Sequence, residues 1–285
     1  MSLTVEQRSN YDGVPKAAEL IEITGASALE ASDRAILNLL YQQAHDSGRL
    51  IEPGAEWEVP ITALRFSKHY GTERIPESLT RLLGVQVRVS YIDAESGQPR
   101  DLMTHLFNFF DVPSNGRPGA VRFGVPDKLR PILAKSSRWG RIKAEVVCAM
   151  SSKYAMTLYE MVQLRGNLDR SLETFPIDRF RELLGVPEDS YERGNDLMRF
   201  VVNPAVLEVN GLSEFGIQID PARAHSRAPI TALSMTWWRK TGDEYRATYQ
   251  ERQRSKVGRK ARLRGEVVEV DTMLSFKDAG QGTAL

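Results

Sequence analysis

Cysteine is almost missing from the chain: Cys148 stands alone, which rules out an internal disulfide and gives no thiolate cluster for a metal, as expected in a reducing cytosol. The lone thiol reads as a buried structural one rather than a reactive one. Histidine is scarce too. His45, His69, His105 and His225 lie far apart and never form His-x-His, so the metal site of a nicking enzyme is unsupported. No Gly-x4-Gly-Lys-Ser/Thr loop is present to cradle a nucleotide. Lys240-Thr-Gly242 matches part of a β-lactamase signature without its Ser-x-x-Lys partner and is taken as chance. Catalytic residues, cofactors and metal ligands are therefore left unassigned, and the chain is not expected to be an enzyme. Long apolar runs are missing as well. None approaches about 18 residues, and the polar start from Met1 to Asn10 lacks a signal-peptide core, so a cytoplasmic protein with no membrane partner is expected.

What remains is ordinary globular material. At 285 residues there is room for two domains with real cores, and 41% apolar with 26% charged residues is close to average usage. The formal charge is only +1, so any surface for nucleic acid must gather its positive charge locally.

The stretch from Ser152 to Asn210 is the most informative. Tyr154, Leu158, Met161 and Arg165 fall at i, i+4, i+7 and i+11, with Ala155 and Val162 widening the stripe, which predicts an amphipathic helix. Asp178 is placed to cap a second, shorter helix with apolar positions Phe180, Leu183 and Leu184, stopped by Gly185 and Pro187. After a tight turn Ser190 is expected to open a third helix, along which Leu197, Val201, Ala205 and Val209 follow at i+4 steps. Pro204 should kink or end it. Short helix, turn and longer helix is the helix-turn-helix order. Beyond it Phe215, Ile217 and Ile219 alternate, a basic turn follows, and Ile230 to Trp238 reads as a second strand, with Trp237 in the core and Trp238 at the edge. A helix-turn-helix with a hairpin is a winged helix, whose third helix enters the major groove of DNA while the wing lies along the backbone.

Three segments, Ser152-Lys-Tyr-Ala-Met-Thr-Leu-Tyr-Glu160, Ile177-Asp-Arg-Phe-Arg-Glu-Leu-Leu-Gly-Val-Pro187 and Leu197-Met-Arg-Phe-Val-Val-Asn-Pro-Ala-Val-Leu-Glu-Val-Asn210, resemble in order and spacing the iteron-binding plasmid replication initiators, the Rep initiator protein family. The likeness covers roughly residues 20 to 240. It implies an α+β fold of two tandem winged-helix domains, of which the residues alone yield only the second. It implies monomers bound to repeated double-stranded origin sites, opening of the adjacent duplex, and recruitment of the host initiator and replicative helicase. It also implies a homodimer, in equilibrium with the monomer and joined through the first domain, that represses its own gene at an operator inverted repeat.

In the first half, residues 1–18 are polar, with Gly13 and Pro15, and read as a flexible arm. Leu20 to Ile23 is too short to classify. A helix beginning at Ser32 or Glu30 carries Ile36, Leu37, Leu40 and Ala44. Glu58 to Arg65 and Ile75 to Gly84 are expected to form a helical pair. From Val85 the period is two, and loop chemistry at Glu95 to Pro99 leads into the run Leu102 to Phe110, which makes a hairpin. Asn115 to Gly119 turns into Val121, Phe123 and Val125; Pro126 to Ala134 reads as a short helix, and Ile142 to Val147 as a strand or the lead into the next domain. The N-terminal winged-helix domain, assigned dimerisation and contact with the DNA backbone, is thus placed at residues 19–147. The sequence-reading domain is placed at 148–245, and residues 246–285 as a basic, then acidic tail with little to form a core beyond a helix over Asp243 to Gln250.

Arg193, Asn195, Asp196, Arg199 and Asn203 are the candidate base readers, since Arg and Asn pair bidentately with guanine and adenine edges. A solvated helix face is the ordinary alternative. Phe200 falls on the same side, where related initiators often carry a basic residue, as they do at the position of Met198; it either touches a thymine methyl or packs at the helix edge. The target sequence of another initiator is accordingly not carried over. Arg223, His225 and Arg227 of the wing suit phosphate contacts, or form a solvated hairpin tip. Arg252, Arg254, Lys256, Arg259 and Lys260 either add nonspecific attraction through counterion release or serve targeting and solubility. Lys68, His69, Arg74 and Arg81 read as ordinary surface, with contact to the DNA backbone as the alternative. Two other functions stay open: a transcriptional regulator with no initiating role, and a metal-dependent nicking enzyme.

Overall fold

The computed structural model of the protein describes residues 13–65, 71–114, 119–166, 168 and 170–266. Residues 1–12 of the expected arm, Lys68, His69, residues 115–118 of the expected turn and the acidic end from residue 267 onward lie outside the described residues. Within them, the end of the arm is a strand. β1 (Val14–Ala17) pairs antiparallel with β7 (Trp139–Ile142), Val14 opposite Ile142 and Ala17 opposite Trp139. The short α1 (Ala18–Ile21) follows and buries Leu20 and Ile21.

Helix α2 (Ala31–Asp46) begins at a capping box: the Asp33 carboxylate accepts the Glu30 N–H at 2.8 Å. The same fully buried Asp33 takes a bidentate pair of bonds from Arg81 at 2.7 and 2.9 Å, so Arg81 is a structural tie between helices and not ordinary surface. The expected helix at Glu58 is replaced by β2 (Glu56–Pro60), in which Trp57 and Val59 alternate inward, followed by a single 3-10 turn, Ile61–Leu64. Pro60, which cannot donate inside a helix, closes the strand. α3 (Ile75–Gly84) carries Pro76 in its first turn. β3 (Gln86–Ile92) and β4 (Pro99–His105) form the expected hairpin, and β5 (Phe109–Asp111) joins β6 (Ala120–Gly124) and β2 in a second small sheet, order β2-β6-β5. α4 (Leu129–Ala134) is short, and the segment left open as a strand or a lead is helix α5 (Ala144–Ala149). Ile36, Leu40, Leu64, Leu79, Leu82 and Phe123 make the centre of this domain's core.

Helix α6 (Lys153–Arg165) is not amphipathic. Ser152 Oγ accepts the Tyr154 N–H at its start, and every residue from Ala155 to Arg165 is buried. The helix lies between the two halves of the chain and has no solvent side, so its polar positions need internal partners. They have them. Glu160 accepts from Lys16 Nζ at 2.8 Å and from Asn38 Nδ2 at 2.7 Å, and Lys16 also donates to Asn38 Oδ1 at 2.8 Å. Burial pushes the Lys16 ammonium below the ordinary lysine range, against the pull of Glu160. Gln163 donates to Glu214 at 2.7 Å, and Arg165 to Glu22 at 2.6 Å and to Glu173 at 3.0 Å. The second core accordingly includes Ile21, Ala35, Ile142 and Val146 from the first half of the chain.

The second winged helix opens with a strand that the sequence pattern hides, β8 (Leu172–Pro176), where only Phe175 is buried among exposed or half-buried neighbours. α7 (Ile177–Leu184) is capped at Pro176, so Asp178 sits inside its first turn, where its charge complements the helix dipole. Gly185 ends the helix with φ 67°, which lets the Val186 N–H reach the Arg181 carbonyl at 3.0 Å. The third helix begins at Gly194, not Ser190, and runs through α8 (Gly194–Leu197), a π turn at Met198–Val202 and α9 (Asn203–Leu212). Pro204 does not end it. The widened turn absorbs the missing donor, with the Asn203 N–H reaching back to Met198. Leu197, Val201, Ala205 and Val209 form the expected buried stripe. β9 (Phe215–Ala222) and β10 (Ala232–Arg239) make the wing, and β10 is the centre of a sheet ordered β8-β10-β9, with Trp237 in the core and Trp238 44% exposed.

Residues 246–266 are not a tail. α10 (Gly242–Gln253) and α11 (Arg259–Leu263) fold back onto α9, and Lys240, the first residue of the chance triplet, donates to the Asn210 and Ser213 carbonyls and to Thr248 Oγ1 beneath them.

Two outcomes follow from these buried charges. Glu160→Ala leaves the Lys16 ammonium buried without its carboxylate and should cost about 3–5 kcal/mol in urea unfolding, whereas Lys16→Met with Glu160→Met should recover most of the loss. Burial holds Lys240 down at about 8, against Glu244 and Glu214, from an ordinary value of 10.5. Its charged form is disfavoured only in the folded state, so stability should rise from about pH 8 to about pH 10.5 as the native chain loses this proton first. Lys240→Met should make that rise smaller, leaving the part due to Lys16, when unfolding midpoints are compared at about pH 7 and about pH 10.

Candidate nucleic-acid interface

The polar side of the third helix is open. Arg193, Asn195, Arg199, Phe200 and Asn203 are exposed and Asp196 is half-buried, while Leu197, Val201 and Val202 anchor the opposite side in the core. Arg193 occupies the N-cap position, and Asp196 lies in the first turn, where a carboxylate suits the helix dipole. The turn leading in is held by a residue that sequence reading passed over. Arg181, on α7, donates to the Tyr191 and Ser190 carbonyls at 2.7 Å each, and more weakly to Pro187 and Glu188. Its position in the last turn of a short helix is the signal that was available. Tyr191 takes a left-handed φ of 54°, a conformation that costs a non-glycine residue about 1–2 kcal/mol and here needs the arginine to fix it.

The wing stands beside this helix. Thr231 N–H bonds to the Ala222 carbonyl at its base, and His225 and Arg227 are exposed at its tip. Arg223, expected on phosphate, is engaged within the protein: it donates to Asn195 Oδ1 at 2.5 Å and to the Ala228 carbonyl at 3.2 Å. It joins wing to helix, so the candidate base readers and the wing tip form one continuous surface.

The basic run belongs elsewhere. Arg259 is buried, donating to the Ala149, Glu251 and Arg254 carbonyls and to the Glu251 side chain. Arg252 has its side chain 6% exposed, 3.9 Å from Glu145, and Lys256 donates to the Cys148 carbonyl at 2.7 Å. Arg254 and Arg262 also pair with Glu251, and only Lys260 of the five candidates is an exposed cation with no such contact described. The cause lies in the fold: Glu251 and Glu145 pair with arginines of the run, and α5 supplies carbonyls that no reading of consecutive residues brings near it. Cys148 is half-buried beside Lys256, and burial raises its thiol above the ordinary range, which disfavours the reactive thiolate.

Among the described residues, no group of three or more His, Cys, Asp or Glu side chains could hold a metal ion, and no helix is long and apolar enough to cross a membrane.

Helices with a hairpin wing, twice along one chain, define a tandem winged-helix protein. Residues 14–163 match the family described as Initiator Replication protein, WH1, and residues 176–237 the family described as Initiator Rep protein, WH2. The chain belongs to the initiator Rep protein family. Among solved structures it is similar to the Pi initiator protein in its crystal structure in complex with iteron DNA, with a TM-score of 0.61 and 13% identity over 80% of this chain and 98% of that one. At that identity the likeness is one of fold. No curated protein matches the sequence.

Arg259→Ala should lower unfolding stability by about 1–3 kcal/mol, because the Ala149, Glu251 and Arg254 carbonyls lose a buried donor while Arg262 still holds the Glu251 carboxylate. The slope of DNA affinity against salt should stay as in the unmodified protein; a flattened slope with unchanged stability would return the segment to the interface.

Proposed function

We propose that the protein is a plasmid replication initiator that binds directly repeated origin DNA with its second winged helix in the major groove. The observation that carries this reading is the open face of Arg193, Arg199 and Asn203, joined to the wing through Arg223 and Asn195. On such a face Arg donates twice to guanine O6 and N7, Asn donates to adenine N7 and accepts from its N6 amino group, and His225 and Arg227 at the wing tip supply phosphate contacts that fix the register. Membership of the initiator Rep family, and the iteron DNA bound by the Pi initiator of like fold, support it.

The remaining steps belong to the same proposal. The first winged helix contacts DNA backbone and joins two copies; a two-fold dimer suits an inverted repeat, at which it represses its own gene, whereas two linked domains on a monomer suit two successive grooves of a direct repeat. Bound monomers open the adjacent duplex in the cytoplasm and recruit the host initiator and replicative helicase.

Replication of an origin plasmid supplied with the protein in trans is the decisive test. Loss of replication with retained DNA binding would assign the chain to transcriptional regulation, and metal-dependent nicking of supercoiled origin DNA would assign it to cleavage chemistry. Arg199→Ala should weaken specific binding about tenfold while changing nonspecific binding less than about twofold. Equal losses on both would remove Arg199 from base reading.

A further inference from the structure

Phe200 is anomalous on the open helix face. The residue is 51% exposed among polar neighbours, and no described residue buries it. An exposed phenylalanine on a solvated face is ordinarily mobile, but this one is braced. The Tyr191 ring lies 6.1 Å away, centroid to centroid, at an interplanar angle of 31°, and Arg199 Cζ stands 5.1 Å from the Phe200 ring centre. Tyr191 is itself held in its left-handed backbone conformation by Arg181. The π turn sets Phe200 and Arg199 on a widened stretch of helix whose other side, Val201 and Val202, is fixed in the core. The result is a preorganised apolar knob flanked by donors.

We infer that Phe200, braced by Tyr191, reads the 5-methyl group of a thymine in the DNA major groove, next to the purine addressed by Arg199. The thymine methyl is the apolar feature of that groove, and aromatic or aliphatic side chains contact it. Arg199 stands over the ring at cation–π distance, and its guanidinium N–H groups can be directed at a guanine. Insertion of a ring between base steps is the work of wedges in the minor groove, and a ring on the flank of a major-groove helix meets base edges instead. The inference rests on the reading of this helix as the DNA-facing element, and it adds a recognition chemistry that Arg and Asn do not supply.

The test starts from duplexes that the full-length protein selects out of a random pool. Each thymine of a selected duplex is replaced in turn by deoxyuracil, which removes only the methyl group, and affinity is measured for the unmodified protein, Phe200→Ala and Phe200→Leu. One replacement should weaken binding about fivefold for the unmodified protein and change it less than about twofold for Phe200→Ala, with Phe200→Leu between them. Phe200 is exposed, so Phe200→Ala should keep the thermal unfolding midpoint of the unmodified protein. Methyl removal that is silent at every thymine, or a loss of the same size in Phe200→Ala, overturns the inference while leaving the helix as a reader of other contacts. Failure of the pool to yield any enriched sequence overturns the DNA-facing reading, and the inference with it.

Discussion

A carboxylate at the position of Glu160 is tolerated only in company. It lies on a helix with no exposed residue from Ala155 onward, and an uncompensated charge there would cost several kcal/mol. Lys16 and Asn38 satisfy both of its oxygens, and they come from β1 and α2, more than a hundred positions away in the chain. The closed Lys16–Asn38–Glu160 triangle therefore specifies which surface of the first domain meets α6, where an apolar contact alone would allow sliding. α6 in turn packs on α9, so the platform of the third helix of the second domain is set by an interaction made far behind it. Arg165, bridging Glu22 and Glu173, fixes the other end of the same helix.

From that platform outward the construction is local. Arg181 organises the turn, the π turn accommodates Pro204 without breaking the helix, and Arg223 couples the helix to the wing. Each device limits motion in a part of the surface that has little core beneath it. Tyr191, Asn195 and Arg223 are thereby held in place before any partner arrives, which lowers the ordering cost of association at those positions.

The parts legible in the sequence are those whose causes are close together in it. The stripe of Leu197, Val201, Ala205 and Val209, the stop at Gly185 and the alternation of β9 all depend on neighbours within a few residues, and all are found as expected. β1 and β8 were not readable, since each is a strand by virtue of a partner far along the chain and each offers the eye little alternation. The amphipathic reading of α6 assumed a solvent side, and no periodicity can report that a polar stripe faces Lys16 and Glu22 instead of water. For the candidate site the division is the same. The exposed set from Arg193 to Asn203 came from helix geometry, whereas the engagement of Arg223 with Asn195 and of Arg259 with Glu251 and Ala149 required the fold.

The inward turn of the basic segment bears on how the molecule would search for its site. Arg252, Arg254, Arg259 and Arg262 share only two carboxylates, Glu145 and Glu251, so the segment keeps a local positive excess although the whole chain carries a formal charge of only +1. Such an excess acts over about a Debye length, so any steering in the proposed role works at close range and weakens as salt is raised.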